Sequence, residues 1–153
     1  MELTTGNPAQ TRALGERLAA QLVAGDVLLL EGTLGAGKSE FTRGIARGLG
    51  ITGYVTSPSF TILQVHPGGR LPLYHFDWYR LHSAEELYEL SMEEYLYADG
   101  VAVVEWPGMA REAVPPCHLR IEIELCGEDE RRFHFYPEGG FRPLDRNALE
   151  GKA

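Results

Sequence analysis

The sequence predicts an α/β domain, and three observations carry that expectation. Val27 to Leu30 is an unbroken apolar run, as in a strand covered on both faces. A glycine-rich turn follows it, and then Phe41, Ile45 and Leu49 recur every four residues, the period of a buried helix face. Val101 to Val104 is a second unbroken apolar run, while Leu119, Ile121, Ile123 and Leu125 alternate with Arg120, Glu122 and Glu124 as in a half-buried strand.

Taken along the chain, Asn7-Pro8 opens the first helix. Asn7 is a capping residue, Pro8 suits the first helical position, and Gln10 completes a capping-box pattern. Leu14, Leu18 and Leu22 form its buried stripe and Gly25 ends it. The second helix runs from near Lys38 to near Gly50, with Gly44 and Gly48 each weakening it by up to about 1 kcal/mol. Close packing against a strand would explain them. Residues 59–65 and 70–79 are expected to be strands joined by Pro67-Gly68-Gly69. In the second, Leu73, His75 and Asp77 share one face and Tyr74, Phe76 and Trp78 the other. Ser83 with Glu86 and Ser91 with Glu94 read as two capping boxes and hence two short helices. A turn at Gly127 to Glu130 leads into a strand carrying Phe133 and Phe135. The expected domain is residues 1–136, with 137–153 a polar, flexible tail.

Composition narrows the function classes. The 153 residues suit one domain with a sizeable core. The apolar runs are too short to cross a bilayer, and no basic stretch precedes an apolar one at the N-terminus, so a cytoplasmic protein is expected. A net charge of -8 argues against unaided binding to RNA or DNA. Cys117 and Cys126 lack metal or redox spacing. The chain has two lysines, Lys38 and Lys152, so the one interior lysine stands where a compact point charge is wanted.

That lysine lies in Gly32-x-x-x-x-Gly37-Lys38-Ser39, which fits the phosphate-binding P-loop pattern between a strand and a helix. Glycines let successive backbone N–H groups converge on phosphate oxygens, and the following helix offers its N-terminus to the same anion. The backbone N–H groups of this turn are thus expected to bind the phosphates of a nucleotide. Lys38 would reach the β- and γ-phosphates and Ser39 would offer its hydroxyl to Mg²⁺. Glu105, at the end of the apolar run Val101 to Val104, is the expected acidic partner for Mg²⁺ and the attacking water; a solvated strand cap is the alternative. Asp77 is a third candidate: it would bind Mg²⁺ through water, orient the attacking water, or pair with Arg80. Thr56 to Ser59 is either a loop that senses the γ-phosphate or a plain turn. Trp78 and Trp106 read first as core or interface anchors.

Four segments in order, Gly32-Thr-Leu-Gly-Ala-Gly-Lys-Ser39, Thr56-Ser-Pro-Ser-Phe-Thr61, Tyr74-His-Phe-Asp-Trp-Tyr-Arg-Leu81 and Val104-Glu-Trp-Pro107, resemble the TsaE (YjeE) family over about residues 7–136. The resemblance implies a P-loop NTPase-like three-layer domain with a mixed central sheet. It also implies an ATPase that supports threonylcarbamoylation of tRNA adenosine 37 by binding the TsaD–TsaB pair, without transferring the group itself. On that resemblance the catalytic residues are Lys38, Asp77 and Glu105, the ATP-binding residues Leu34, Gly35, Ala36, Gly37, Lys38 and Ser39, the Mg²⁺ ligands Ser39 and Glu105, and the switch-like loop Ser57 to Thr61. Trp106 matches the family's tryptophan beside the acidic residue. Asn7, and Arg131 or Arg132, would touch the adenine. Thr33 stands where the family commonly has aspartate, and Glu40 where it commonly has threonine, which puts a carboxylate near the phosphates. The alternatives are a small-molecule kinase, which lacks its usual arginine-rich lid here, and a nucleotide-dependent adaptor without significant hydrolysis.

Overall fold

The computed structural model describes residues 1–33, 35–53, 55 and 61–152. In chain order the elements are β1 (Glu2–Thr5), α1 (Pro8–Ala19), β2 (Val27–Glu31), α2 (Lys38–Gly48), β3 (Leu63–His66), β4 (Leu73–Asp77) and α3 (Ala84–Glu89). A 3₁₀ segment Glu93–Tyr97, β5 (Val101–Glu105), a 3₁₀ stretch Pro107–Ala113, β6 (His118–Leu125), β7 (Arg131–Glu138) and α4 (Arg146–Leu149) complete the chain.

Among the described residues the strands form one seven-stranded sheet in the order β1-β7-β6-β2-β5-β4-β3. β2 runs parallel to both β5 and β6, and β4 parallel to β5. The β1–β7, β6–β7 and β3–β4 pairs are antiparallel, so the sheet is mixed. Alternation along β2 feeds two cores: Leu28 and Leu30 pack with α1 and α2, Val27 and Leu29 with α3 and the 3₁₀ stretches. Both faces of the central strands are therefore covered, which is why they read as continuous apolar runs. No helix among the described residues is long and apolar enough to cross a membrane.

Several local expectations change. Gly44 and Gly48 face α1, not a strand. A Cβ on Gly44 would lie 2.1 Å from the Arg12 carbonyl oxygen, one on Gly15 2.4 Å from that of Phe41, and one on Gly48 2.6 Å from Ala19 Cβ. The two helices thus meet backbone to backbone. The strands expected at 59–65 and 70–79 are shorter, at Leu63–His66 and Leu73–Asp77; residues 59 and 60 lie outside the described residues. Ser83 makes no side-chain cap bond; Glu86 Oε1 instead accepts from His82 N at 2.8 Å, one residue early. Ser91 takes a left-handed φ of 55°, and Met92 leads into a 3₁₀ turn in place of a second capped α-helix.

The segment after Pro137, read as a flexible tail, is packed. β7 continues to Glu138, and Phe141 and Leu149 join the α1–α2 core. Arg142 pairs with Asp26 at 2.5 Å, and Arg17 Nε donates to Leu149 O at 2.6 Å. Phe141 and Leu149, with partly buried Leu144 between them, dock it, a spacing too sparse to register as a periodic pattern. β1, an edge strand of four residues, likewise has no sequence signal strong enough to announce it.

Candidate functional site

The site grows from the C-terminal end of β2. Past Glu31 the chain turns through Gly35 and Gly37, at φ +81° and +102°, backbone angles that side chains other than glycine rarely adopt. A Cβ on Gly32 would sit 2.8 Å from the Ile123 carbonyl oxygen on β6, so that position also needs glycine. Ala36 N donates to Thr33 O at 3.1 Å. The Thr33 contribution to that turn is its carbonyl, which any residue supplies. Arg131 braces the turn from β7: its Nε donates to Ala36 O at 3.0 Å and its Nη2 to Gly35 O at 3.3 Å. Leu34 lies outside the described residues.

α2 starts at Lys38 with no side-chain cap, and Ser39 is half-buried in its first turn. Its leading N–H groups carry the partial positive charge of a helix N-terminus. Lys38 is only 6% exposed. Its Nζ donates to Gly32 O at 2.9 Å and lies 4.0 Å from the centre of the Trp106 ring. Burial lowers the Lys38 pKa, and the negative charges of Glu105 and Asp77 oppose that fall.

Those carboxylates come from neighbouring parallel strands. Asp77 and Glu105 are register partners at the ends of β4 and β5, and Glu105 is also the partner of Leu30 on β2. Both are buried, at 8% and 5% exposure. Asp77 Oδ1 accepts from Tyr79 N at 3.0 Å. Glu105 Oε2 lies 2.6 Å from His75 Nε2. Trp106, next in sequence, takes φ 59° and ψ 51°. A left-handed tryptophan costs on the order of 1–3 kcal/mol. The turn brings its ring beside Lys38 and 5.0 Å from that of Tyr79. A cavity of about 360 Å³ opens between Gly32, Thr33, Lys38, Trp106 and Arg111.

The structure therefore brings Lys38, Asp77, Glu105 and Trp106 together around the glycine turn. Asn7 lies to one side as the exposed cap of α1, its Oδ1 accepting from Gln10 N at 2.8 Å. Its neighbour Pro8 shares a small cleft with Gly37, Glu40 and Arg131. Glu40, expected near the phosphates, lies in the first turn of α2 and is paired with Arg12 of α1 at 2.6 Å and with Arg43 of its own helix at 2.9 Å. Ser57 to Phe60 of the switch-like loop lie outside the described residues. Sequence reasoning missed His75 as a site residue. Its place on the Asp77 face of β4 was the available signal.

Among the described residues no group of three or more His, Cys, Asp or Glu side chains is arranged to hold a metal. The Ser39 hydroxyl and the two carboxylates are hard oxygen donors, and Mg²⁺ beside a nucleotide takes one or two protein ligands, with phosphate and water supplying the rest. The donor set fits that ion.

A parallel strand running into a glycine turn and an uncapped helix, with a carboxylate at the end of the adjoining strand, defines the P-loop NTPase-like class. Residues 5–133 match the family described as threonylcarbamoyl adenosine biosynthesis protein TsaE. The Bacillus subtilis tRNA threonylcarbamoyladenosine biosynthesis protein TsaE is 47% identical over 135 residues, covering 88% of this chain and 84% of that protein. Its Treponema pallidum counterpart is 37% identical over 131 residues, covering 86% and 96%. The crystal structure of Bacillus subtilis YdiB superposes with a TM-score of 0.79 at 43% identity, covering 91% of this chain and 86% of that one. The chain belongs to the TsaE family.

Proposed function

We propose that this chain binds ATP with Mg²⁺ and hydrolyses it to support threonylcarbamoylation of adenosine 37 in tRNA. It acts by binding and cycling the TsaD–TsaB complex in the cytoplasm and does not transfer the group itself. The observation that carries the reading is the buried Lys38 ammonium held at the glycine turn, with Glu105 and Asp77 close enough to oppose the fall in its pKa.

In this reading the backbone N–H groups of residues 34–39 and the Lys38 ammonium hold the phosphates. Ser39 and Glu105 would hold Mg²⁺, which would supply charge neutralisation to the phosphates. Asp77 orients a water whose oxygen attacks the γ-phosphorus. The bond to the β,γ-bridging oxygen breaks, ADP leaves, and the water's protons pass to the phosphate product and solvent. Asn7 and Arg131 flank the adenine side. A net charge of -8 leaves tRNA to the partner proteins. Turnover by the chain alone is slow, because completing a P-loop site in trans is worth about 10³–10⁵ in rate.

The test is ATP turnover with and without TsaD, TsaB and tRNA. Stimulation by the pair, lost in Glu105→Ala together with tRNA modification, is expected. A folded Glu105→Ala chain that binds the pair and sustains modification fully would leave an adaptor without hydrolysis. Turnover indifferent to the pair, with no complex formed in ATP and Mg²⁺, would refute the proposal.

A further inference from the structure

We propose that His75 is the positioning residue for Glu105, fixing the carboxylate in the one orientation that serves Mg²⁺. The proposal rests on the reading of the site just given and adds a residue to it.

His75 precedes Asp77 by two positions on β4 and so shares its face. Its side chain is 1% exposed, and its Nε2 stands 2.6 Å from Glu105 Oε2. That distance is a charge-assisted hydrogen bond, with Nε2 carrying the proton and the carboxylate accepting. The other ring nitrogen, Nδ1, has no hydrogen-bond partner among the described residues. A buried nitrogen without a partner costs free energy that an apolar side chain of similar volume would avoid. Leucine would fill the same space but leave the buried Glu105 Oε2 without this donor. What the imidazole supplies is one donor aimed at one oxygen.

The need for that donor lies in the length of glutamate. Glu105 has one more rotatable bond than the aspartate that commonly ends this strand in P-loop proteins, and each freely turning bond lets the carboxylate swing out of register. Asp77, shorter, is oriented by a backbone donor, Tyr79 N, two residues away. Glu105 is oriented from the neighbouring strand. With Oε2 committed to His75, Oε1 is left for the ligand. Residues that hold a metal ligand in this way commonly change metal affinity by about 10–100-fold when removed.

The test is ATP affinity by calorimetry in Mg²⁺ and in EDTA, the ratio of the two being the metal's contribution. His75→Gln places an amide nitrogen near the Nε2 position, whereas the shorter His75→Asn cannot reach Glu105 and His75→Leu has no donor. We expect Asn and Leu to lower the ratio about tenfold, or to unity where the wild-type ratio is smaller, with EDTA affinity held within about twofold. Gln should keep the ratio within about threefold of wild type. If the leucine variant does not fold, the two amides decide the matter, since both are polar and differ only in reach. A wild-type ratio in Asn, or a loss in Gln equal to that in Asn, would overturn the role of His75. A wild-type chain that binds ATP equally with and without Mg²⁺ would overturn the metal site and this inference with it; no ATP binding at all would remove the proposed function.

Discussion

Replacing Gly44 by alanine tests whether the contact between α1 and α2 sets the position of the phosphate loop. The added Cβ would lie 2.1 Å from the Arg12 carbonyl oxygen, and such carbons are essentially never found under 3.0 Å. The helices must therefore separate locally by about 0.9 Å, the difference between those distances. No rotamer relieves the clash, because the obstacle is backbone. Overpacking costs about 1–3 kcal/mol, and a backbone obstacle puts this site at the upper end. Alanine returns about 1 kcal/mol of helix propensity. The net expectation is a loss of about 2 kcal/mol, or roughly 4–8 °C in melting temperature for a chain of this length. ATP affinity should fall as well, since Lys38 and Ser39 form the first turn of the displaced helix. Urea denaturation followed by circular dichroism, with calorimetric ATP titration, measures both. Gly127→Ala is the control: its nearest neighbour is 3.7 Å away, and it should stay within about 0.5 kcal/mol of wild type. A Gly44→Ala chain as stable as wild type would refute the reasoning.

Three further outcomes are expected. Lys38→Met should raise the melting temperature while lowering ATP affinity by about 1.5–3 kcal/mol. The lysine's lowered pKa means the folded chain holds that proton less tightly, so its stabilising balance exists only above the ordinary lysine value of about 10.4 and is lost as pH falls through the folded value. A destabilised methionine variant would contradict this. Glu40→Gln should cost about 1 kcal/mol of stability by urea titration, through its bonds to Arg12 and Arg43, and leave Mg²⁺–ATP affinity within about twofold. A tenfold gain in affinity would show instead that the carboxylate acts on the phosphates. Hydrogen bonds from His118 and then Arg120 lower the Glu138 pKa, so its contribution is complete above the ordinary carboxylate range and disappears as pH falls through the depressed value. Glu138→Gln should therefore lose stability at pH 7, by a margin that shrinks as pH falls below the ordinary carboxylate range. The difference stays below about 1 kcal/mol, because the side chain is 38% exposed.

Much of this architecture was legible because its signals are local. Val27 to Leu30 and Val101 to Val104 announce buried strands by being apolar throughout, and the spacing of Gly32, Gly37, Lys38 and Ser39 announces the loop. The alternation in 73–78 places His75 and Asp77 on one face. What failed to show were relations between distant segments. Nothing in the sequence says that Gly44 meets Arg12, that Glu40 turns to two arginines, or that Phe141 and Leu149 reach back to α1. The contact between His75 and Glu105 needs the parallel register of β4 and β5, which sequence spacing does not contain. Ser91 misled for the opposite reason: a capping pattern is a local preference, and here a left-handed turn took its place.

The stacking of Lys38 on Trp106 also gives the chain an optical signature. An indole's emission responds to a charge held against its ring, and this ring has an ammonium 4.0 Å from its centre. The other tryptophan, Trp78, is fully buried in the core on the α3 side of the sheet at 0% exposure. A label-free emission trace is thus expected to report changes around this ring, where Lys38 and Tyr79 both lie. Stopped-flow mixing with nucleotide can time those changes without attaching a dye to the protein.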